Sequence, residues 1–157
     1  MSKCVCVVAE YRAGDFRRVA YEVASEGKRI ADILGTNVCA VLVGSNVMDK
    51  APTLGRYGVD KVYVADDPAL ENFLPETHVP VIADLIKKCD PALVLLSASV
   101  DGKDLSARLS ARLEEGLVQD CTEIVVDGGK IKVKKPIYAG KCLAWSQWAE
   151  GAMPLIS

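Results

Sequence analysis

Two short polar stretches and a scatter of thiols carry the side chains best suited to chemistry. Ser97-Ala-Ser-Val-Asp-Gly-Lys-Asp104 combines hydroxyls, a glycine and a lysine. At the start of a helix these would offer backbone N–H groups and the positive end of the macrodipole to an anion. Ser99, Gly102 and Lys103 are therefore candidate nucleotide or anion contacts, with Asp101 and Asp104 working against them. The competing reading is that Ser99 or Asp101 caps the helix and Lys103 is solvated. The other stretch, Glu10-Tyr-Arg-Ala-Gly-Asp15, carries two carboxylates and almost no hydroxyls, so it would repel a phosphate, and Arg12 reads more readily as surface charge than as an anion clamp.

No nucleophile–base arrangement accompanies these loops. The single histidine, His78, falls at the start of a helical segment after an acidic stretch and reads as a near-cap surface residue. Neither Gly-x-x-x-x-Gly-Lys-[Ser/Thr] nor Gly-x-Gly-x-x-Gly occurs, so neither a P-loop nor a dinucleotide fingerprint is present. The six cysteines (Cys4, Cys6, Cys39, Cys89, Cys121, Cys142) include four in apolar, strand-like runs, which points to buried free thiols in a reducing compartment. Cys4 and Cys6 would share one strand face, but without Cys-x-x-Cys spacing they lack the partners a zinc site needs. Arg108 and Arg112 lie a turn apart, either on a solvated face, with Asp104 paired to Arg108 for about 0.2–0.5 kcal/mol, or as a positive stripe facing a subunit. Trp145 and Trp148 cover a core edge or anchor an interface.

The elements that must position these residues follow from hydrophobic periodicity. Lys3–Glu10, Asn37–Val43, Lys61–Ala65 and Ala92–Ser97 are nearly continuous apolar runs, the pattern of strands covered on both faces. Between them, apolar residues recur at three- and four-residue spacing over 16–34, 47–57, 79–88 and 104–115. Asp15 is the expected N-cap of the first helix and Gly35 its stop. Residues 66–77 read as a covering loop with one helical turn. After Leu117 the pattern changes to run, turn and run around Asp127-Gly-Gly129, a hairpin signal, followed by an apolar stretch from Pro136 to Trp145. Together they predict an open, mainly parallel α/β sheet with helices on both faces and antiparallel strands towards the C-terminus. In such sheets ligands bind beyond the carboxyl ends of the strands where strand order reverses, which singles out the two polar loops.

Size and charge set the bounds. The 157 residues suffice for one core and not for two full domains. With 19 basic against 21 acidic residues, the chain lacks the positive charge of an unspecific nucleic-acid binder. The apolar run at the N-terminus is too short for membrane insertion and lacks a signal cleavage site, so a cytoplasmic protein is expected.

Several segments, in order, resemble the N-terminal domain of the electron transfer flavoprotein alpha subunit over nearly the whole chain. They are Val7-Val-Ala-Glu10, Gly55-Arg-Tyr-Gly-Val-Asp-Lys-Val-Tyr63, Gly102-Lys-Asp-Leu-Ser-Ala-Arg-Leu-Ser-Ala-Arg-Leu113, Gly116-Leu-Val-Gln-Asp-Cys-Thr-Glu123 and Pro136-Ile-Tyr-Ala-Gly-Lys141. The ending Tyr138-Ala-Gly-Lys-Cys-Leu-Ala-Trp145 looks closer to the anaerobic, bifurcating branch than to the mitochondrial type. The resemblance implies a Rossmann-like, adenine-nucleotide alpha hydrolase-like fold and a non-catalytic domain. Its partners would be an electron transfer flavoprotein beta subunit and, through the intact complex, an acyl-CoA or other dehydrogenase. FAD would belong to the intact heterodimer and would not bind tightly to this segment alone, because the family's glycine-rich flavin motif has no match after Trp148. The expected division is an N-terminal domain over 1–148 and the start of an interdomain connection over 149–157, with the FAD-binding C-terminal domain absent. Arg12, Lys103, Lys141 and Trp145 are the expected partner contacts. A small stand-alone ATP- or AMP-binding stress-type protein shares the fold and is the rival reading; a flavodoxin-like FMN carrier fits less well, given Glu10 and Asp15.

Overall fold

The computed structural model describes residues 3–157; Met1 and Ser2, part of the expected 1–148 domain, lie outside it. Strand β1 (Val5–Ala9) runs straight into a two-residue hairpin, β2 (Tyr11–Arg12) and β3 (Asp15–Phe16), and then helix α1 (Arg18–Leu34). Strand β4 (Val38–Gly44), a 3-10 segment over Met48–Tyr57 and strand β5 (Lys61–Asp66) follow. Helix α2 (Pro75–Cys89), β6 (Leu93–Leu95) and α3 (Val100–Leu113) complete the alternation. The remaining strands are β7 (Leu117–Val118), β8 (Glu123–Asp127), β9 (Lys130–Ile137), β10 (Cys142–Gln147) and β11 (Leu155–Ile156).

The main sheet has the order β5-β4-β1-β6-β11-β7 and every pairing in it is parallel. Strands β1, β4 and β6 are buried at every residue, as their uninterrupted apolar runs require. Helix α1 covers one face, over a core that includes Val5, Val7, Ala24, Ile30 and Val38. Helices α2 and α3 cover the other, over Cys6, Val41, Ile82, Ile86 and Leu109. Small residues let α1 approach closely: a Cβ on Gly27 would come within 2.7 Å of Val7 Cγ1. The C-terminal hairpin forms a separate three-stranded sheet, β10-β9-β8. The Gly128-Gly129 pair joins β8 to β9 with both residues at positive φ, the conformation a tight hairpin turn needs.

Several sequence expectations change here. Asp15 does not cap α1; the two-residue turn at Ala13-Gly14 folds it into the β2–β3 hairpin, and the N-cap position is Arg17, without a side-chain cap. Residues 48–57 are 3-10 instead of α-helical. Helix α2 starts at Pro75, four residues earlier than its periodicity suggests, and this places His78 on the buried face with Ile82 and Ile86, so it is not a surface residue. The segment 151–157, within the stretch expected to begin an interdomain connection, supplies β11, a fully buried strand between β6 and β7.

The expectation of six free thiols is also corrected. Cys4 and Cys39 form a disulfide, leaving Cys6, Cys89, Cys121 and Cys142 free. The sequence placed both cysteines in buried strands but not side by side. Strand pairing puts Cys39 opposite Cys6, so Cys4, two residues earlier on the same face, reaches it diagonally with a Cα separation of 6.3 Å.

Candidate functional site

Strand order reverses at β1, with β4 on one side and β6 on the other, so the crevice beyond the carboxyl ends of β1 and β6 is where this architecture places a ligand. The two polar loops converge there. Glu10 follows β1, Ser97 follows β6, and Ser99 stands at the N-cap of α3. Ser99 Oγ accepts from the Gly102 N–H at 3.0 Å, the capping reading of this loop. Gly102 is required by contact: a Cβ there would lie 2.1 Å from the Ser97 carbonyl oxygen.

Glu10 fills the centre of the crevice. Its Oε2 accepts from Ser97 Oγ at 2.5 Å and from Ser99 Oγ at 2.7 Å, while Oε1 lies 3.8 Å from Arg17 Nε. A carboxylate therefore sits at the α3 N-terminus, where hydroxyls and the helix dipole favour negative charge. The same device recurs one strand away. Asp66, closing β5, accepts from the backbone N–H groups of Asn46, Val47 and Met48 at 2.7, 2.9 and 3.0 Å. Both turns that could cradle a phosphate hold one of the chain's own acids. Sequence reasoning took Glu10 only as a group that repels phosphate and did not single out Asp66. The signal was available, since an acid at the carboxyl end of a parallel strand is positioned to meet the amides of the neighbouring loop.

The cavity beneath, lined by residues including Glu10, Phe73, His78, Ser97 and Leu105, holds about 50 Å³. Cofactor pockets ordinarily span about 300–1,000 Å³. A flavin or a nucleotide does not fit inside this cavity; an adjoining open groove lined by Arg12, Asn46, Lys50, Phe73 and Asp101 holds about 580 Å³. His78 Nδ1 lies 3.1 Å from both Thr77 Oγ1 and the Leu74 carbonyl oxygen, and burial pushes the imidazole pKa below its ordinary value. It is a structural group at the helix start.

Arg12, on β2, lines the same cavity and pairs with Asp101 at 2.9 Å. The other predicted residues disperse: Lys103 turns to Asp120 at 2.6 Å. Asp104 and Arg108 form the expected pair at 2.9 Å. Lys141 lies in the turn before β10, and Trp145 lies on β10 in the three-stranded sheet. Strand alternation sends Val133, Ile124, Val126 and Ile131 onto the main core and leaves the opposite face to solvent. On that outer face Lys132 pairs with Asp127 and Lys134 with Glu123, and the Lys134 ammonium lies 4.7 Å from the Trp145 ring centroid. Leu143 and Trp145 stand exposed beside them at 61% and 52%, with Tyr138 at 76% in the adjoining turn. The two tryptophans divide their roles: Trp148 packs against the core and donates to the Gly116 carbonyl at 2.6 Å.

A family model described as the electron transfer flavoprotein domain matches residues 5–157. The electron transfer flavoprotein subunit alpha of Bacillus subtilis is 38% identical over 141 residues, covering 90% of this chain and 43% of that protein. Protein FixB of Clostridium saccharobutylicum is 37% identical over 144 residues, with the same two shares. The subunit LctC of lactate dehydrogenase (NAD(+),ferredoxin) from Acetobacterium woodii is 33% identical over 141 residues, covering 89% of this chain and 34% of that one. The chain thus spans under half the length of these relatives.

Proposed function

Because the chain belongs to the electron transfer flavoprotein domain family, we propose that it acts as the N-terminal domain of an alpha subunit, a non-catalytic platform for alpha–beta assembly and for FAD-mediated electron transfer from dehydrogenases. The observation that carries the non-catalytic, non-nucleotide part of this reading is Glu10 seated among Ser97, Ser99 and Arg17 at the strand-order reversal. An ancestral type of ligand crevice is closed with an internal carboxylate, and the fold is left to offer its surfaces. That geometry also disfavours the stress-type ATP- or AMP-binding alternative, whose phosphates would have to displace two carboxylates. FAD supplies the redox chemistry of the intact heterodimer, and we place its binding outside residues 1–148, in a C-terminal flavin domain.

The beta-subunit contact is assigned to the outer face of the β8–β10 sheet. Leu143 and Trp145 are apolar anchors there, with Lys141 at the turn and the Lys134 and Lys132 ion pairs as a charged surround, an arrangement typical of interface centres. Arg12 and Lys103, each held by an acid, would contribute at the rim. The name of LctC associates that subunit with a lactate dehydrogenase that uses NAD(+) and ferredoxin, which supports a dehydrogenase as the final partner; an anaerobic, bifurcating relative and a cytoplasmic setting complete the reading we propose. Among the described residues no helix is long and apolar enough to cross a membrane.

The test is sedimentation of this chain with its cognate beta subunit. A one-to-one colourless complex is expected, and Trp145→Ala should weaken it by about thirtyfold, the effect of a 2 kcal/mol hot spot. A yellow isolated chain would refute the cofactor placement. Undiminished binding by Trp145→Ala and Leu143→Lys together would move the interface elsewhere.

A further inference from the structure

The amino-terminal edge of the main sheet, opposite the Glu10 crevice, gathers four of the six cysteines. Cys4 and Cys6 project from the same face at the start of β1, Cys39 lies beside them on β4, and Cys89 ends α2 directly over that face. Cys4 Sγ is 3.7 Å from the Cys89 carbonyl oxygen. A cation and a phenol complete the group: Lys61 stands opposite Cys39 in the β4–β5 register, and its Nζ donates to Tyr63 Oη at 3.0 Å. Nothing in the electron-transfer reading uses this cluster.

We infer that Cys4, Cys39 and Cys89 form a thiol–disulfide exchange centre, in which Cys89 displaces the buried Cys39 from the Cys4–Cys39 disulfide and gives a more accessible Cys4–Cys89 bond that an external dithiol can reduce.

The surroundings of Cys89 fit the attacking role. The Cys6 thiol donates a hydrogen bond to its sulfur, and Lys61 and the Tyr63 hydroxyl also stabilise its charged form, so its pKa lies below the ordinary thiol value. The C-terminal dipole of α2 opposes this, by about 0.3–1 kcal/mol, and partial burial opposes it too; the hydrogen bond and the nearby charge outweigh both. Cys6 is held the other way. It is fully buried, and its bond to Cys89 together with desolvation pushes its pKa well up, so it remains a protonated donor. Cys39 is 6% exposed, whereas Cys4 and Cys89 are both half-buried, so a Cys4–Cys89 bond is open to a reductant at both sulfurs.

In the exchange, Cys89 thiolate forms a bond to Cys4 Sγ as the Cys4–Cys39 bond breaks, and the electron pair leaves on Cys39 Sγ, on the strand position paired with Lys61. One thiolate and one disulfide stand on each side, with no oxidant or reductant consumed. Net reduction then takes two electrons from a dithiol, which ends as a disulfide while Cys4 and Cys89 become thiols.

The experiment follows disulfide positions in the full chain. Protein is exposed to dithiothreitol, quenched with acid, alkylated and mapped by mass spectrometry. Cys89→Ser should slow loss of the Cys4–Cys39 bond at least tenfold. Cys39→Ser, oxidised with the disulfide form of dithiothreitol, should accumulate Cys4–Cys89; Cys39→Ala provides the same trap if the serine variant folds poorly by circular dichroism. Reduction of Cys89→Ser at the parent rate, with no Cys4–Cys89 product in either Cys39 variant, would overturn the inference. So would recovery of all four cysteines as thiolates around a stoichiometric metal ion.

Discussion

At the scale of single residues, Glu10 meets a demand that the fold creates. A helix N-terminus at the strand-order reversal favours negative charge, and two hydroxyls that face one another need a common acceptor. A strand-terminal carboxylate supplies both. Removing it should leave Ser97 with Ser99 alone, 3.3 Å away, and Ser99 with Ser97 and the Gly102 N–H. Glu10→Ala is expected to cost about 1.5–3 kcal/mol, the range for hydrogen bonds to a charged group, and Glu10→Gln less, because one acceptor remains. The measurement is a urea midpoint at constant slope; unchanged midpoints would show that the carboxylate only tolerates its place. Gly102 gives a second test in the same loop. Glycine to alanine inside a helix ordinarily gains about 1 kcal/mol, but here the added Cβ meets the Ser97 carbonyl oxygen at 2.1 Å. Overpacking costs of about 1–3 kcal/mol then decide the sign, and Gly102→Ala should destabilise. Gly55→Ala, with nothing within 4 Å of its Cβ, should be neutral or mildly stabilising.

At the scale of elements, helix α2 shows how an early start changes a residue's role. Pro75 occupies the first turn, where its missing N–H costs nothing, and the helix then carries His78 into contact with the Phe73 ring at a centroid distance of 5.1 Å. Burial lowers the His78 pKa below 6.5. Below about pH 6.5 the unfolded chain therefore binds a proton that the folded chain does not, so stability is complete above that pH and falls as pH drops through the lowered native value. The loss of stability between pH 7 and pH 5 should be smaller in His78→Leu than in the parent, by denaturant titration at each pH; parallel losses would show a solvated imidazole. The same element marks what sequence patterns reveal. The parallel strands were legible because burial on both faces leaves unbroken runs such as Val5–Ala9 and Val38–Gly44, and the hairpin because Gly128-Gly129 imposes its turn. The start of α2 was hidden behind two prolines, Pro75 and Pro80, which read as breaks. In the crevice, Ser99 was legible as a helix cap. The filling of the crevice by Glu10, and the pairing of Cys4 with Cys39, depend on which strands become neighbours, and that is set by crossovers rather than by local pattern.

At the scale of the whole molecule, the parallel sheet is closed by its most distant segment. Strand β11 is two residues long, yet it lies between β6 and β7 and would not be found by periodicity. Leu155 and Ile156 are essentially inaccessible, and they face opposite cores, Leu155 that of α2 and α3 and Ile156 that of α1. Backbone bonds tie the segment on both sides: Val94 and Leu96 donate to Pro154 and Ile156 at 2.8 Å each, and Leu155 and Ser157 donate to Gly116 and Val118 at 3.1 Å each. Cys121 donates to the Ser157 carbonyl at 2.9 Å, linking this edge to the chain that leads into the three-stranded sheet. Without β11, strand β7 would lose its only neighbour in the main sheet, and β6, which leads to Ser97, would become a bare edge. A Leu155→Ala change should cost about 2–5 kcal/mol, a large part of the roughly 5–15 kcal/mol that holds a domain together. Deleting 153–157 should go further and leave a chain without cooperative thermal unfolding, because two core side chains and the backbone partners of two strands are removed at once. Calorimetry of the two variants decides it. A deletion variant that still melts cooperatively within a few degrees of the parent would mean that the first 152 residues close the sheet by themselves and that β11 only docks onto a finished fold.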